Sequence, residues 1–186
     1  MRYEMAHLHE KHGRKIFELL KNAVSSANLE VYDIARKNEE LKGMGTTVTV
    51  ALIKDKTAIY AHVGDSRIYL VNDQIKQLTK DHSIVQSLIE SGKITPEDAS
   101  VHPRKNVKTR ALGVEEQVIA DFGLMFLHDG DTLMLCTDGL TNFVSEDIIL
   151  DTFNKYDKSE VCDKLIDLAN DGGGGDNITV VTLTLE

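Results

Sequence analysis

The hydrophobic pattern of this chain changes period early, and that change excludes both all-helical and all-sheet architectures. Ile16, Leu19, Leu20, Ala23, Ala27, Val31, Ile34 and Ala35 recur at helical spacing with Lys, Glu and Asn between them. Residues from about 14 to 40 therefore read as one long amphipathic helix, closed by Gly43-Met44-Gly45. From Thr47 the period falls to two. Val48, Val50 and Leu52 alternate with Thr47, Thr49 and Ala51, as in a strand with one covered face. A chain that opens this way must build both a helix face and a sheet.

The rest extends that reading. Asp55-Lys56 fits a hairpin turn into a strand over Ala58–Val63, and Gly64-Asp65-Ser66 turns into another over Ile68–Val71. These three strands read as a meander. Ser83–Ser91 reads as a helix closed by Gly92. Thr95-Pro96-Glu97-Asp98 has a capping threonine with proline at the first helical position. From His102 to Arg110 the pattern is polar and irregular, as in a surface loop. Strands are expected again at Gln117–Phe122 and Thr132–Thr137, with Asp129-Gly130 as the turn between them. Ser145 and Ser159 are placed to cap two helices, and Asn177–Leu185 reads as the last strand. Together these elements predict an α+β fold with mainly antiparallel sheets. Strands with an uncovered face need a second layer, which points to a sheet sandwich flanked by helices.

Two carboxylates sit where apolar runs meet glycine. Asp138 ends one run in Cys136-Thr137-Asp138-Gly139-Leu140, and Asp176 begins another after Gly172–Gly175. Acidic side chains at strand ends suit a hard divalent cation, which takes oxygen ligands and keeps several waters. Asp65, in the turn Val63-Gly64-Asp65-Ser66-Arg67, is a third candidate. On the residues alone each of the three also reads as ordinary turn chemistry. The four-glycine run precedes a strand, so it lacks the helix terminus that binds phosphate, and a nucleotide site is rejected.

Composition narrows the function classes. A formal net charge of −9 argues against a general nucleic-acid binder. Arg104, Lys105, Lys108 and Arg110 form the one notable basic cluster. No apolar stretch approaches the ~20 residues of a membrane span, and no secretory leader is recognised. Cys136 and Cys162 read as buried reduced thiols, which suits a cytoplasmic protein. His7, His9 and His12 read as solvated helix-face residues. The 186 residues fit one domain. A structural calcium site would show a DxDxDG loop, and the sequence contains none.

Six segments, in order, resemble the protein phosphatase 2C family of metal-dependent serine/threonine phosphatases, bacterial type. They are Gly43-Met44-Gly45-Thr46-Thr47, Val63-Gly64-Asp65-Ser66-Arg67, Thr79-Lys80-Asp81-His82-Ser83, Thr109-Arg110-Ala111-Leu112-Gly113, Cys136-Thr137-Asp138-Gly139-Leu140 and Gly175-Asp176-Asn177-Ile178-Thr179. The resemblance implies an antiparallel β-sandwich between helix layers, with a flap insert at about residues 81–112. It implies hydrolysis of phosphoserine and phosphothreonine in proteins by water activated at a Mn²⁺ or Mg²⁺ centre. Asp138 and Asp176 match the family's ligands for the first metal. Asp65 matches the ligand of a more weakly held third metal, shared with Asp138. Gly139 and Asn177 stand beside these ligands, Asn177 either orienting a carboxylate or simply making the turn. Arg110 is a candidate substrate contact; His82 either contacts substrate or caps the Ser83 helix.

The sequence contains neither the family's phosphate-gripping Arg segment nor its DG-x-GGH motif. No catalytic acid is therefore assigned, and the chain reads as an amino-terminally shortened domain of impaired turnover. The implied partners are a phosphoprotein substrate and a cognate serine/threonine kinase, with neither nucleic acid nor membrane. The alternative is a non-catalytic fragment acting as a binding module. Loss of the first strands would leave sheet edges open to dimerisation.

Overall fold

The computed structural model describes residues 11–186, so His7 and His9 lie outside the described residues, and of His12 only the backbone is described. The chain divides into two compact units. One comprises the residues up to Asp65 with Lys80–Phe126, the other Ser66–Thr79 with Leu127–Glu186.

The first unit is built on a three-stranded sheet in the order β1 (Val48–Lys54), β2 (Thr57–Val63), β5 (Asp121–Phe126). Helix α1 (Lys11–Lys37) leads through a 3-10 turn at Glu39–Leu41 to β1 and β2. The hairpin pairs Val48 with Val63 and Lys54 with Thr57. Its turn is the expected Asp55-Lys56, both residues at positive φ, as a tight hairpin twisted with its strands requires. Leu20 and Val24 of α1 pack with Ile59, Ala61, Val63, Leu112 and Leu124 as this unit's core. One turn beyond Val24 on the same face stands Asn28, 1% exposed. Its amide donates to the carbonyls of Glu115 and Glu116, and its Oδ1 accepts from Gly113 N–H. This buried amide is fully used, and it ties the helix to the 113–116 loop.

Strand β5 runs over Asp121–Phe126, four residues beyond the start expected at Gln117. Val118, Ile119 and Ala120 look strand-like, but Ile119 is 77% exposed and lies before the pairing begins. The real strand contains Gly123, a poor strand former. Opposite it, Tyr60 lays its ring so close that a Cβ would fall 2.1 Å from Cζ. The expected flap region holds α2 (Ile84–Glu90), capped by the Ser83 hydroxyl, and α3 (Pro96–Ser100), whose Thr95 and Asp98 form a reciprocal capping box. Bridges at Ser83–Lys108 and Thr46–Leu112 hold the two ends of this segment.

The second unit holds the four-stranded sheet β4-β3-β6-β7: β3 (Arg67–Val71), β4 (Ile75–Gln77), β6 (Thr132–Cys136) and β7 (Val180–Thr184). The expected meander therefore fails at its third strand. β3 leaves its predecessor and pairs with β4 and β6. All these pairings are antiparallel, and the fold class is α+β as expected. Helices α4 (Asp138–Thr141), α5 (Glu146–Lys155) and α6 (Val161–Asp171) bury Leu140, Ile149, Val161, Leu165 and Ala169, and the link between α4 and α5 buries Val144, with Tyr69, Met134 and Cys136. Glu160, not Ser159, precedes α6. Cys136 is buried, but Cys162 is half-buried, its Sγ 3.4 Å from Thr182 Oγ1; neither is in a disulfide. β7 inverts its apolar pattern: Val181 and Leu183 are exposed, while Thr184 meets Thr132 at 2.8 Å.

Candidate functional site

In the second unit, β6 ends at Cys136 and the chain turns through Thr137 into the short helix α4, of which Asp138 is the first residue. Thr137 stitches this turn to the strand entrance at 177–179. Its N–H donates to the Thr179 carbonyl at 3.1 Å, its Oγ1 donates to the Asn177 carbonyl at 3.1 Å, and the same oxygen accepts from Thr179 N–H at 3.0 Å. The backbones then approach so closely that a Cβ on Gly139 would lie 2.3 Å from the Asn177 carbonyl oxygen. Only glycine fits there.

The two aspartates thus flank adjoining stretches of backbone. Asp138 is half-buried and Asp176 exposed. One oxygen of Asp176 accepts from the Asn177 N–H at 2.7 Å, which fixes its carboxylate. The Asn177 backbone, rather than its side chain, orients that group. The four glycines before it serve packing: a Cβ at Gly173 or Gly175 would press on the Phe143 ring at 3.0 and 3.1 Å. Among the described residues, no three His, Cys, Asp or Glu side chains group as a metal site. Two oxygen donors could supply only part of a hard cation's shell, and water would have to supply the remainder.

The other expected site residues belong to the first unit. Asp65 is buried, with Oδ2 2.7 Å from Lys108 Nζ. His82 is buried too. Its ring does not cap α2, a task of the Ser83 hydroxyl. Instead Nδ1 accepts from Gly64 N–H at 3.1 Å, and Nε2 faces Asp121 Oδ2 at 3.2 Å. Arg110 donates from Nη1 to Asp121 Oδ1 at 2.8 Å and to the Ile119 carbonyl at 3.0 Å. The substrate-contact reading of His82 and Arg110 thus meets side chains already engaged within the protein. Burial pushes the Asp121 carboxyl up, but Arg110 and His82 outweigh it and hold it below its ordinary value.

Sequence reasoning passed over His62. The ring is buried, with its centroid 4.8 Å from that of His82. Nε2 lies 3.1 Å from the Lys80 carbonyl and Nδ1 3.1 Å from Thr49 Oγ1. A carbonyl only accepts, so Nε2 carries the proton and Nδ1 accepts from the hydroxyl. Burial first, and His82 second, lower its pKa to about 4. The available signal was a single polar residue in the otherwise apolar run Ala58–Val63.

The family model for protein phosphatase 2C matches residues 3–120. The chain belongs to the protein phosphatase 2C family. Protein phosphatase PhpP of Streptococcus pneumoniae is 42% identical over 163 residues, which is 85% of this chain and 65% of that protein. The chain therefore spans just under two thirds of that relative. The crystal structure of a serine/threonine phosphatase from Staphylococcus aureus superposes with a TM-score of 0.89 at 38% identity, over 95% of this chain and 70% of that one. The catalytic domain of the serine/threonine protein phosphatase PstP, solved in complex with two manganese ions, gives 0.83 at 35% identity, over 99% of this chain and 78% of its own. The α+β fold, with antiparallel sheets and helices, is that of phosphatase 2C enzymes of bacteria.

Proposed function

We propose that this chain carries part of a metal-dependent protein serine/threonine phosphatase, with Asp138 and Asp176 holding Mn²⁺ or Mg²⁺. The observation that carries the reading is the Thr137–Asn177–Thr179 stitch, which sets the two aspartates on adjoining backbone. Family membership and the manganese-bound relative support it. When bound, such an ion lowers the pKa of its water and neutralises charge on phosphoryl oxygens.

The chain's own residues do the rest. Asp138, at the start of α4, and Asp176, braced by its neighbour's N–H, present oxygens at fixed places. Gly139 permits the close approach that keeps them there. Asp65 offers a further carboxylate for a more weakly held ion, and residues 81–112 form the flap of a single phosphatase domain. The substrate class is phosphoserine and phosphothreonine in proteins, the corresponding partner is a serine/threonine kinase, and two cysteines outside any disulfide fit a cytoplasmic setting.

Two carboxylates bind a dication weakly, so turnover by this chain alone is low. Phosphate release from a phosphothreonine peptide during Mn²⁺ titration tests this. Weak release that Asp138→Asn abolishes supports the reading; metal-independent release contradicts it. A second reading, as a binding or dimerising module, is favoured by Val181 and Leu183, 55% and 41% exposed on an outer strand. Sedimentation at increasing concentration tests that reading, and a monomer throughout sinks it.

A further inference from the structure

Residue 82 meets Gly64 twice. The His82 backbone N–H donates to the Gly64 carbonyl at 2.7 Å, and Nδ1 accepts from the Gly64 N–H at 3.1 Å. One residue thus satisfies both polar groups of the glycine beside Asp65. An accepting Nδ1 bears no proton, so the ring proton sits on Nε2, facing Asp121. Arg110 holds Asp121 from the other side.

The same residue also fixes the loop segment that carries Lys108, the partner of Asp65. The His82 carbonyl accepts from Thr109 N–H at 2.7 Å. Beside Thr109, Lys108 reaches Asp65 at 2.7 Å. Gly64 has φ +116, and a Cβ there would lie 2.3 Å from Thr47 Cγ2. The turn needs glycine, and glycine alone does not hold a conformation. The restraint has to come from outside the turn, and His82 supplies it.

We infer that His82 is a positioning residue for Asp65: through Gly64 and Thr109 it sets the direction of the carboxylate and the place of its lysine partner. The inference rests on the reading of Asp65 as a cation ligand. It assigns His82 no contact with substrate. Orientation by outer partners of this kind is worth about 10–100-fold in metal affinity.

Two substitutions separate the ring's two nitrogens. His82→Asn keeps an acceptor near the place of Nδ1. His82→Gln carries its polar end toward the place of Nε2 and leaves the Gly64 N–H without its acceptor. In amide NMR spectra of the chain, H82Q is expected to shift the Gly64 proton upfield and speed its exchange by about tenfold, while H82N stays near wild type. On Mn²⁺ titration the Asp65 and Ser66 amides broaden in the wild type, and H82Q requires about tenfold more Mn²⁺ for the same broadening. Asp121→Asn, at a side chain 46% exposed, is a milder second variant that loosens the ring and moves both readings the same way. Broadening that H82Q and D121N leave unchanged overturns the inference alone. Absence of broadening in the wild type overturns the ligand reading of Asp65, and this inference with it.

Discussion

Thr137 and Asn177, forty residues apart, are joined by a hydrogen bond from the threonine hydroxyl to the asparagine carbonyl at 3.1 Å. That hydroxyl also accepts from Thr179 N–H. Thr137→Val keeps the shape and leaves a carbonyl and an amide without their partner. Both groups are exposed and water can replace the hydroxyl, so the expected cost is about 0.5–1.5 kcal/mol of stability, with a loss of Mn²⁺ affinity that Thr137→Ser restores. Urea unfolding and calorimetric Mn²⁺ titration of both variants check this.

Gly139→Ala tests the same junction from the opposite side. The added methyl meets the Asn177 carbonyl oxygen at 2.3 Å, so the 176–178 backbone must move. The expected cost is about 1–3 kcal/mol. Mn²⁺ affinity should fall on the order of tenfold even where the variant is fully folded, as measured well below its unfolding midpoint.

His62 makes stability depend on pH. In the folded chain it takes a proton only near pH 4, against 6.5 for the ordinary side chain. Between those values the unfolded state binds more protons, so stability falls as pH falls. The contribution is fully present above pH 6.5 and is lost by about pH 4. From pH 7 to pH 5 the loss is about 2 kcal/mol. Urea unfolding at the two pH values measures it, and His62→Gln should flatten the difference.

Arg110→Ala releases Asp121 from its guanidinium. The pair is partly exposed, 37% and 46%, so the stability loss should stay under about 1 kcal/mol. Asp121 now titrates below its ordinary value. The stability it contributes is present above the ordinary carboxylate range and is lost as pH falls through the folded value. Without Arg110 the acid-unfolding limb moves to higher pH. Acid titration followed by circular dichroism reads the shift.

What could be read from sequence was local. Thr95, Pro96 and Asp98 announce a cap because capping is settled within four residues, and the box forms. Asp55-Lys56 announces a hairpin for the same reason. The partner of β3 was not legible, because a strand's own pattern does not say which sheet it joins. Nor was β5, where Gly123 weakens the signal that Val118 and Ile119 imitate. At the candidate site the order of the glycine-flanked aspartates was readable. The engagement of Asp65 with Lys108, and of His82 with Gly64 and Asp121, depends on side chains brought together by the fold. Asn28 was hidden by its chemistry: a polar residue in the apolar row of a helix reads as an interruption, not as a tie.

The central claim is that Asp138 and Asp176 hold one cation. Calorimetric Mn²⁺ titration of the wild type, Asp138→Asn, Asp176→Asn and the double variant tests it most directly. A shared site predicts that each single substitution removes the binding isotherm and that the double variant loses nothing more. Two independent losses, or an isotherm that survives either substitution, would contradict it.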